Sequence, residues 1–383
     1  MLNLIFFLLF FLLLAHFFSA YCRYENESIE FIGPKILPLE KKSIVFIALI
    51  VLIPTLVVAF RAENIGYDTF RYIKLLNYPK EYLVSRMESS GEYLFWNICL
   101  FFQEYGNIRA LFFVYAFVPL FFTFAGLYKL SKMYNPFISC LLFLLFFYHE
   151  FFNLMRQMPA IGLVFFSYVF CISRKFIPFA ICILTAFLFH SSALIAFPLF
   201  FLYPRKTFTS WDLFKLIIFI VVVMFILSIS LKSILFFQVF ERYNAYLDSF
   251  YQVSVGQALA SFFTSYFPIV LLMFFFSLNR NFSKNDKDFQ FLWVVTFFFC
   301  AFIIMRFIET YFFRVAYYYQ LGEILIISRI CQKPSIKDNN GGLLTNYFLS
   351  EYDFLVVLVI IISFYIQLRM YDLSPLINYS IME

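Results

Sequence analysis

The chain has 383 residues, of which 63% are hydrophobic, 24% are aromatic and only 14% are charged. A soluble globular domain has about 25% charged residues, so this composition excludes a chain whose main solvent is water. The formal net charge of +6 is modest and is spread over several loops, which bears on membrane orientation and does not indicate nucleic-acid binding.

Long apolar stretches recur along the whole chain. A membrane-crossing helix needs about 20 such residues, whereas the strands of a membrane β-barrel alternate apolar and polar residues over about 10 positions. The sequence therefore predicts an all-α, polytopic integral membrane protein, a single membrane domain with about 11 to 13 transmembrane helices. The predicted spans are 3–21, 43–60, 108–129, 135–151, 156–173, 176–204, 213–236, 259–279, 288–305, 307–328 and 352–369.

The first apolar run, residues 4–20, has a length that also suits a secretory signal peptide. No basic segment precedes it, and Tyr21-Cys22-Arg23 follows it in place of a small-x-small cleavage site. We therefore interpret this run as a membrane span.

Two segments do not have the length of one span. Residues 92–104 are too short to cross comfortably, so they are expected to form a re-entrant helix, an interfacial helix or a short crossing. Residues 176–204 are long and contain polar residues in the middle, so they are expected to form two short helices that meet at Ser191 and Ser192. Placing the basic loops in the cytoplasm requires that 92–104 does not cross and that 176–204 crosses twice. The basic loops are 22–42, 129–132, 174–175, 205–206, 280–287 and 329–337.

This orientation assigns each long loop to a side of the membrane. Segments 61–92 and 237–258 lie on the outer side, and 329–351 is a cytoplasmic loop. Segment 61–92 mixes basic and acidic residues with apolar residues at helical spacing. It is therefore predicted to be an amphipathic helical loop on the outer membrane surface.

Most ionisable residues at span ends and in external loops lie near the outer face in this orientation, although none was used to choose it. A charged group within a span costs about 2.5 to 3.5 kcal/mol, so Arg156, Arg314 and His190 are expected to face the bundle interior or a water-filled cavity. Arg109, Arg306 and Arg369 are instead expected to extend their side chains from span ends to the membrane interface. The outer group comprises Asp68, Arg71, Glu92, Arg109, Glu150, Arg156, His190, Glu241, Arg242, Arg306, Glu309, Arg314 and Arg369.

Cysteines and cofactor motifs give little functional information. The seven cysteines form no CxxC pair and most lie within apolar runs, so they are predicted to be packing residues. The sequence shows no metal-ligand cluster and no Gly-rich phosphate-binding loop, so neither a metal nor a cofactor is predicted.

Short polar and aromatic motifs are distributed from about residue 60 to residue 375. They are Gly66-Tyr67-Asp68 with Arg71-Tyr72, Gly91-Glu92-Tyr93, Arg156-Gln157 with Gly162, Phe189-His190-Ser191-Ser192-Ala193-Leu194-Ile195, and Arg314 with Tyr317-Tyr318. In order and spacing they resemble the EpsG-like branch of the Wzy-type O-antigen and exopolysaccharide polymerases. The chain departs from that pattern at Pro159 and beyond residue 330.

The resemblance implies a metal-independent membrane glycosyltransferase with the architecture of multi-span enzymes that use lipid-linked sugars. Such polymerases join undecaprenyl-pyrophosphate-linked oligosaccharide repeat units at the periplasmic face of the bacterial inner membrane. The growing chain moves from its lipid carrier onto a new lipid-linked unit. The expected partners are therefore this lipid-linked oligosaccharide, the bilayer and a chain-length regulator, with no nucleic acid.

The implied leaving group is a lipid pyrophosphate. When no metal is present, its negative charge must be neutralised by fixed cations. Arginine suits this role because it stays charged and offers a planar fork to phosphate oxygens. The candidate pyrophosphate ligands are Arg156 and Arg314, followed by Arg71 and Arg242.

Glycosyl transfer also needs a base for the acceptor hydroxyl and groups that hold sugar. His190, Asp68 and Glu92 are the candidate bases; His190 is favoured because it titrates near neutrality, and the choice among them stays open. Tyr317 and Tyr318 are predicted to share a helical face with Arg314. The candidate sugar contacts are Tyr317, Tyr318, Tyr72 and Gln157.

Two other classes of function fit the same charges. A polyprenyl-linked sugar flippase or transporter would also place arginines in a central cavity. A membrane glycosyltransferase that adds a single sugar, or an acyltransferase that uses His190, would need the same base.

Overall fold

The computed structural model of the chain describes residues 2–28, 36–66, 68–204, 206, 215, 286–305, 312–331, 336–337, 343–344 and 358. The predicted spans 213–236, 259–279 and 352–369 and the loop 237–258 lie outside these residues, apart from residues 215 and 358. The chain divides into two compact units, Met1–Phe200 with Ile327–Glu383, and Phe201–Ile326.

The regular secondary structure of the described residues is helical except for one short antiparallel pair of strands. The helices are α1 Leu2–Ser28, α2 Lys41–Ala59, α3 Thr69–Leu75, α4 Lys80–Ser90, α5 Tyr93–Tyr105, α6 Ile108–Lys129, α7 Pro136–Phe147, α8 Gln157–Ile172, α9 Phe176–Phe189, α10 Leu199–Leu202, α11 Lys287–Met305, α12 Phe312–Ala316 and α13 Gln320–Ile330, with 3₁₀ helices at Tyr148–Phe152 and Ser191–Ala196. The strands are β1 Ile336–Lys337 and β2 Leu343–Leu344.

Several of these helices have the length and composition of membrane spans. Among the described residues, Ile5–Asn26, Lys41–Ala59 and Ile108–Lys129 are long and apolar enough to cross a bilayer. Shorter apolar helices follow at Pro136–Phe152, Gln157–Ile172, Phe176–Phe189 and Ser191–Leu202. The prediction of an all-α, polytopic membrane protein is confirmed.

The core of the first unit is built around α6 and α8. Helix α6 packs against α2 and α8, and α8 packs against α9. The α6–α8 contact is close because Gly162 has no side chain: a Cβ there would lie 2.5 Å from the Cα of Pro119. Pro159 lies in the first turn of α8, where the missing amide hydrogen costs no helical hydrogen bond.

The segment 92–104 forms a short helix, as expected. Helix α5 has 13 residues, so it is about 20 Å long, less than the about 30 Å of a hydrocarbon core. Glycines with positive φ end both α4 (Gly91, φ 68°) and α5 (Gly106, φ 61°), because this backbone conformation strains residues that carry a Cβ. The glycine at 91 therefore turns the chain so that Glu92 becomes the N-cap of α5, which begins at Tyr93.

The long segment 176–204 breaks where the sequence places its polar residues. Helix α9 ends at Phe189, and His190 adopts an extended conformation (φ −153°, ψ 118°) before a 3₁₀ helix begins at Ser191. The amide of His190 still donates to the carbonyl of Ala186, at 2.9 Å, and closes the last turn of α9. The break directs the His190 side chain and the Ser191 amide away from the regular helix.

The predicted span 307–328 differs from one continuous helix. Within its described residues, α12 and α13 are separated by a turn at 317–319. The turn is held by bonds between residues three apart, such as the amide of Tyr318 to the carbonyl of Val315 at 3.2 Å. The ring of Tyr319 packs against Phe298 and Phe302 in the same unit. The prediction that Arg314, Tyr317 and Tyr318 lie on one continuous helix is therefore wrong, because α12 ends at Ala316 and both tyrosines lie in the turn that follows.

Candidate functional site

The candidate site is centred on the carboxylate of Glu92. This residue lies at the connection between α4 and α5 and is only 1% exposed. An ionised carboxylate taken out of water must accept hydrogen bonds or pair with cations to be tolerated. Its partners therefore define the site.

Both oxygens of Glu92 have partners from distant parts of the chain. Oε1 lies 2.8 Å from Nδ1 of His190 and accepts from the backbone amide of Ser191 at 3.2 Å. Oε2 accepts from Nη1 of Arg156 at 3.3 Å. One carboxylate thus holds a histidine and an arginine side by side. We call Glu92, Arg156, His190 and Ser191 the Glu92 cluster.

The position of Glu92 is fixed locally by Ser90. The Ser90 hydroxyl accepts from the Glu92 amide at 3.2 Å and from the indole nitrogen of Trp96 at 2.8 Å. The amide of Trp96 in turn donates to the Glu92 carbonyl at 3.2 Å, in the first turn of α5. These bonds make the α4–α5 junction a rigid platform for the carboxylate.

Arg156 enters the cluster from the start of α8. It occupies the N-cap position, and 27% of its side chain remains exposed. Its guanidinium carbon lies 5.7 Å from the centre of the Phe95 ring, one turn into α5. Because part of its side chain is exposed, the guanidinium can reach an anionic ligand.

Electrostatics favour an ionised Glu92. Burial by itself would raise the pKa of this carboxyl group, but the hydrogen bond from His190, the charges of His190 and Arg156 and the Ser191 amide outweigh it and lower the pKa to about 2. A carboxylate accepts hydrogen bonds and cannot donate them, so Nδ1 of His190 must carry the proton in their 2.8 Å contact. In a neutral His190, Nε2 then carries the lone pair.

Acid is expected to remove the stabilisation that Glu92 provides. Because its pKa is lower in the folded state than in the unfolded state, the contribution is complete above about pH 4.5 and is lost as the pH falls through about 2. Melting temperatures of the purified protein and of Glu92→Gln, measured from pH 6 to pH 3, should therefore converge as the pH falls. The exposed Glu88 on α4 provides the control Glu88→Gln, which should stay parallel to the unmodified protein. A pH-independent gap for Glu92→Gln would contradict the assigned ionisation.

Asp68, Arg71 and Tyr72 lie at the start of α3. Nη1 of Arg71 pairs with Oδ1 of Asp68 at 3.0 Å, with 73% of the Arg71 side chain exposed. Asp68 occupies the N-cap position of α3 but makes no capping hydrogen bond with its side chain. The Tyr72 ring is buried and meets the Phe95 ring edge-on, with centroids 6.4 Å apart. Tyr72 is therefore linked to the cluster through the same phenylalanine that Arg156 faces.

The remaining predicted residues are distributed more widely. Gln157 is buried directly after Arg156, at the first position of α8. In the second unit, Arg314 is partly buried on α12, while Tyr317 and Tyr318 are buried and the Tyr317 ring lies 4.8 Å from that of Phe313. Arg242 lies outside the described residues.

Two serines and one arginine of this region were not among the predicted site residues. Ser191 was noted only for its place in a motif, although its amide and hydroxyl both point to Glu92 Oε1. The Ser90 hydroxyl accepts a hydrogen bond from the Glu92 amide and so helps to fix the position of Glu92. Arg61 is the first residue of the segment 61–92 that was predicted to be an external amphipathic loop, although it is fully buried. The one sequence signal for these roles was the polar break in an otherwise apolar stretch around Ser191.

Among the described residues, no group of three or more His, Cys, Asp or Glu side chains could hold a metal ion. All seven cysteines lie among the described residues, and none of them forms a disulfide.

A helical bundle with several apolar spans and a charged cluster made from three segments defines a polytopic membrane protein with a candidate polar site. The family model that matches the chain covers residues 44–381 and is described as the EpsG family. The chain belongs to the EpsG family, and this membership supports a polysaccharide polymerase-like role. No curated protein and no solved structure matches the chain.

Proposed function

We propose that the chain polymerises undecaprenyl-pyrophosphate-linked oligosaccharide repeat units by glycosyl transfer at the periplasmic face of the bacterial inner membrane. The observation that carries this proposal is the Glu92 cluster. It combines a histidine whose Nδ1 is held by Glu92 with an arginine whose guanidinium is partly exposed. A polymerase that uses a lipid pyrophosphate donor needs these two groups close together.

His190 acts as the general base in this proposal. The acceptor is a sugar hydroxyl at the end of a lipid-linked repeat unit. Nε2 of His190 takes the hydroxyl proton as the oxygen attacks the anomeric carbon of the donor sugar, and the bond between that carbon and the pyrophosphate oxygen breaks. The proton rests on His190 and the bonding electrons leave with the pyrophosphate.

Glu92 orients the imidazole and stabilises the imidazolium in this proposal. Its bond to Nδ1 fixes the ring in one tautomer, and its negative charge offsets the positive charge that His190 gains during proton transfer. It is less suited to be the base itself, because a carboxylate with a lowered pKa holds a proton weakly and both its oxygens already accept hydrogen bonds. Asp68 remains the alternative base.

Arg156 binds the departing lipid pyrophosphate in this proposal. The charge that develops on the leaving oxygen needs a fixed cation nearby, and a guanidinium can bind two phosphate oxygens at once. Arg314, Arg71 and Arg242 are proposed as further pyrophosphate ligands. Tyr72, Gln157, Tyr317 and Tyr318 are proposed to contact sugar.

The function is tested in cells from which the gene has been deleted. The proposal predicts surface glycan that carries one repeat unit, with long chains restored by a plasmid copy of the gene. Since a single repeat at the outer surface has already crossed the membrane, this result also excludes a flippase. Lipid-linked repeat units that accumulate only on the cytoplasmic side would contradict the polymerase and support the transporter.

A further inference from the structure

Arg61 is a fully buried arginine outside the Glu92 cluster. It lies just after α2, which ends at Ala59, and its relative exposure is 0%. Removing a guanidinium from water costs several kcal/mol unless its hydrogen bonds and charge are met. A buried arginine in a membrane protein therefore calls for a functional or positional explanation.

The guanidinium of Arg61 contacts several separate segments. Nη1 donates to the carbonyl of Val58 at 3.1 Å, at the end of α2. Nε donates to the hydroxyl of Thr69 at 3.1 Å, at the start of α3, and Nη2 lies 3.5 Å from Sδ of Met155. Its carbon lies 3.9 Å from the centre of the Phe112 ring of α6. The hydrogen bonds therefore hold the guanidinium within its plane, and the Phe112 ring packs against its face.

The chain between α2 and the start of α3 also approaches the segment before α8 at Thr69 and at Gly66. The Thr69 hydroxyl lies 3.4 Å from the carbonyl of Phe152. Gly66, with φ of 91°, is packed so tightly on that carbonyl that a Cβ would collide with it. The Phe152 ring also faces Arg61, with 5.6 Å between the guanidinium carbon and the ring centre. Arg61, Gly66 and Thr69 on one side and Phe152 and Met155 on the other therefore form one tightly packed contact.

Arg156 follows this tightly packed segment directly. Met155, which contacts Arg61, is its neighbour in the chain, and the Arg156 side chain then reaches Glu92. Any shift of Phe152 or Met155 would move the backbone from which the Arg156 guanidinium extends. A displacement of about 1 Å at such a group is enough to weaken binding of a substrate.

We propose that Arg61 is a positioning residue: it holds the segment from Phe152 to Met155 so that Arg156 meets Glu92 and the pyrophosphate of the lipid carrier. The proposal rests on the proposed function for the identity of this ligand. In this role Arg61 acts on the ligand through Arg156. Lysine cannot replace it, because an ammonium lacks the planar fork that reaches Val58, Thr69 and Met155 together.

Binding of undecaprenyl pyrophosphate to the purified full chain in detergent tests this role without turnover. Arg61→Lys, purified as a monodisperse protein, should bind at least about tenfold more weakly than the unmodified chain. Arg86→Lys, at a partly exposed position on α4, is the control and should bind normally. In an Arg156→Ala background, Arg61→Lys should cause no further loss, because two residues that act through one contact are not additive.

A second variant protects the test against misfolding. Thr69→Val keeps the shape of the side chain but removes the hydroxyl that Arg61 contacts, and it should weaken binding in the same direction. Three results would each overturn the proposal. The first is normal binding by folded Arg61→Lys, and the second is an undiminished effect of Arg61→Lys in the Arg156→Ala background. The third is failure of both Arg61→Lys and Thr69→Val to fold. An unmodified chain that binds the lipid pyrophosphate but forms no polymer would instead contradict the proposed function alone.

Discussion

Replacing His190 with asparagine is expected to reduce the rate of chain extension by about 10²- to 10⁴-fold, the usual contribution of a positioned general base. The Asn side-chain amide can still donate to Glu92 from nearly the position of Nδ1, but it cannot accept a proton at neutral pH. His190→Asn therefore separates the chemical role of the ring from its structural role. The measurement is the rate of product formation from lipid-linked repeat units by purified protein.

His16 supplies the matched control for this experiment. Its side chain is exposed on α1, where it meets the ring of Phe17, so His16→Asn should leave the rate unchanged. His149 is less suitable, because its Nε2 lies 3.3 Å from the buried carboxylate of Glu150. Near-normal polymerisation by folded His190→Asn would show that the histidine is a structural partner of Glu92 and would direct attention to Asp68.

Arg156→Ala is expected to weaken use of the lipid-linked donor by about 10- to 100-fold, measured as an increase in KM, because it removes a charge-assisted contact to phosphate. The protein should remain folded, since Glu92 keeps its bonds to His190 and Ser191. In cells, the variant should yield surface glycan with one repeat unit. Arg156→Lys should recover part of the loss, because lysine retains the charge but not the fork.

The control for Arg156 is Arg86→Ala, which removes one positive charge from α4 without altering the cluster. It separates loss of a specific phosphate contact from a general change in surface charge. Long glycan chains and an unchanged KM in Arg156→Ala would remove this residue from the pyrophosphate site. The same substitution at Arg314 tests the proposed second ligand independently.

The helices were largely predictable because the bilayer imposes a simple length and composition rule. Helices α2 and α6 coincide closely with the predicted spans 43–60 and 108–129, and α1 contains the predicted span 3–21 but continues to Ser28. The polar break in 176–204 was predictable for the same reason, since three polar side chains in an apolar run are costly in a continuous span.

The interruption of 307–328 was not predictable from such rules. Tyrosine carries no strong helix-breaking tendency, and no proline lies within this segment. The turn at 317–319 accompanies packing of Tyr319 against α11 within the second unit, which is a tertiary effect.

The members of the candidate site could be found in the sequence, but not their arrangement. Glu92 is 64 positions from Arg156 and 98 from His190, so no periodicity relates them. Their contact depends on how α5, α8 and α9 pack. Arg61 was hidden for a related reason: an arginine in a loop is ordinarily solvated, and only the surrounding fold shows that this one is buried.

Reaction of the purified protein with a defined undecaprenyl-pyrophosphate-linked repeat unit tests the central claim most directly. The account predicts a ladder of products that differ by one repeat unit, with release of undecaprenyl pyrophosphate, and no ladder from His190→Asn. A product that has gained only one sugar, or movement of unreacted substrate across the membrane of a liposome without any product, would contradict polymerisation at the Glu92 cluster.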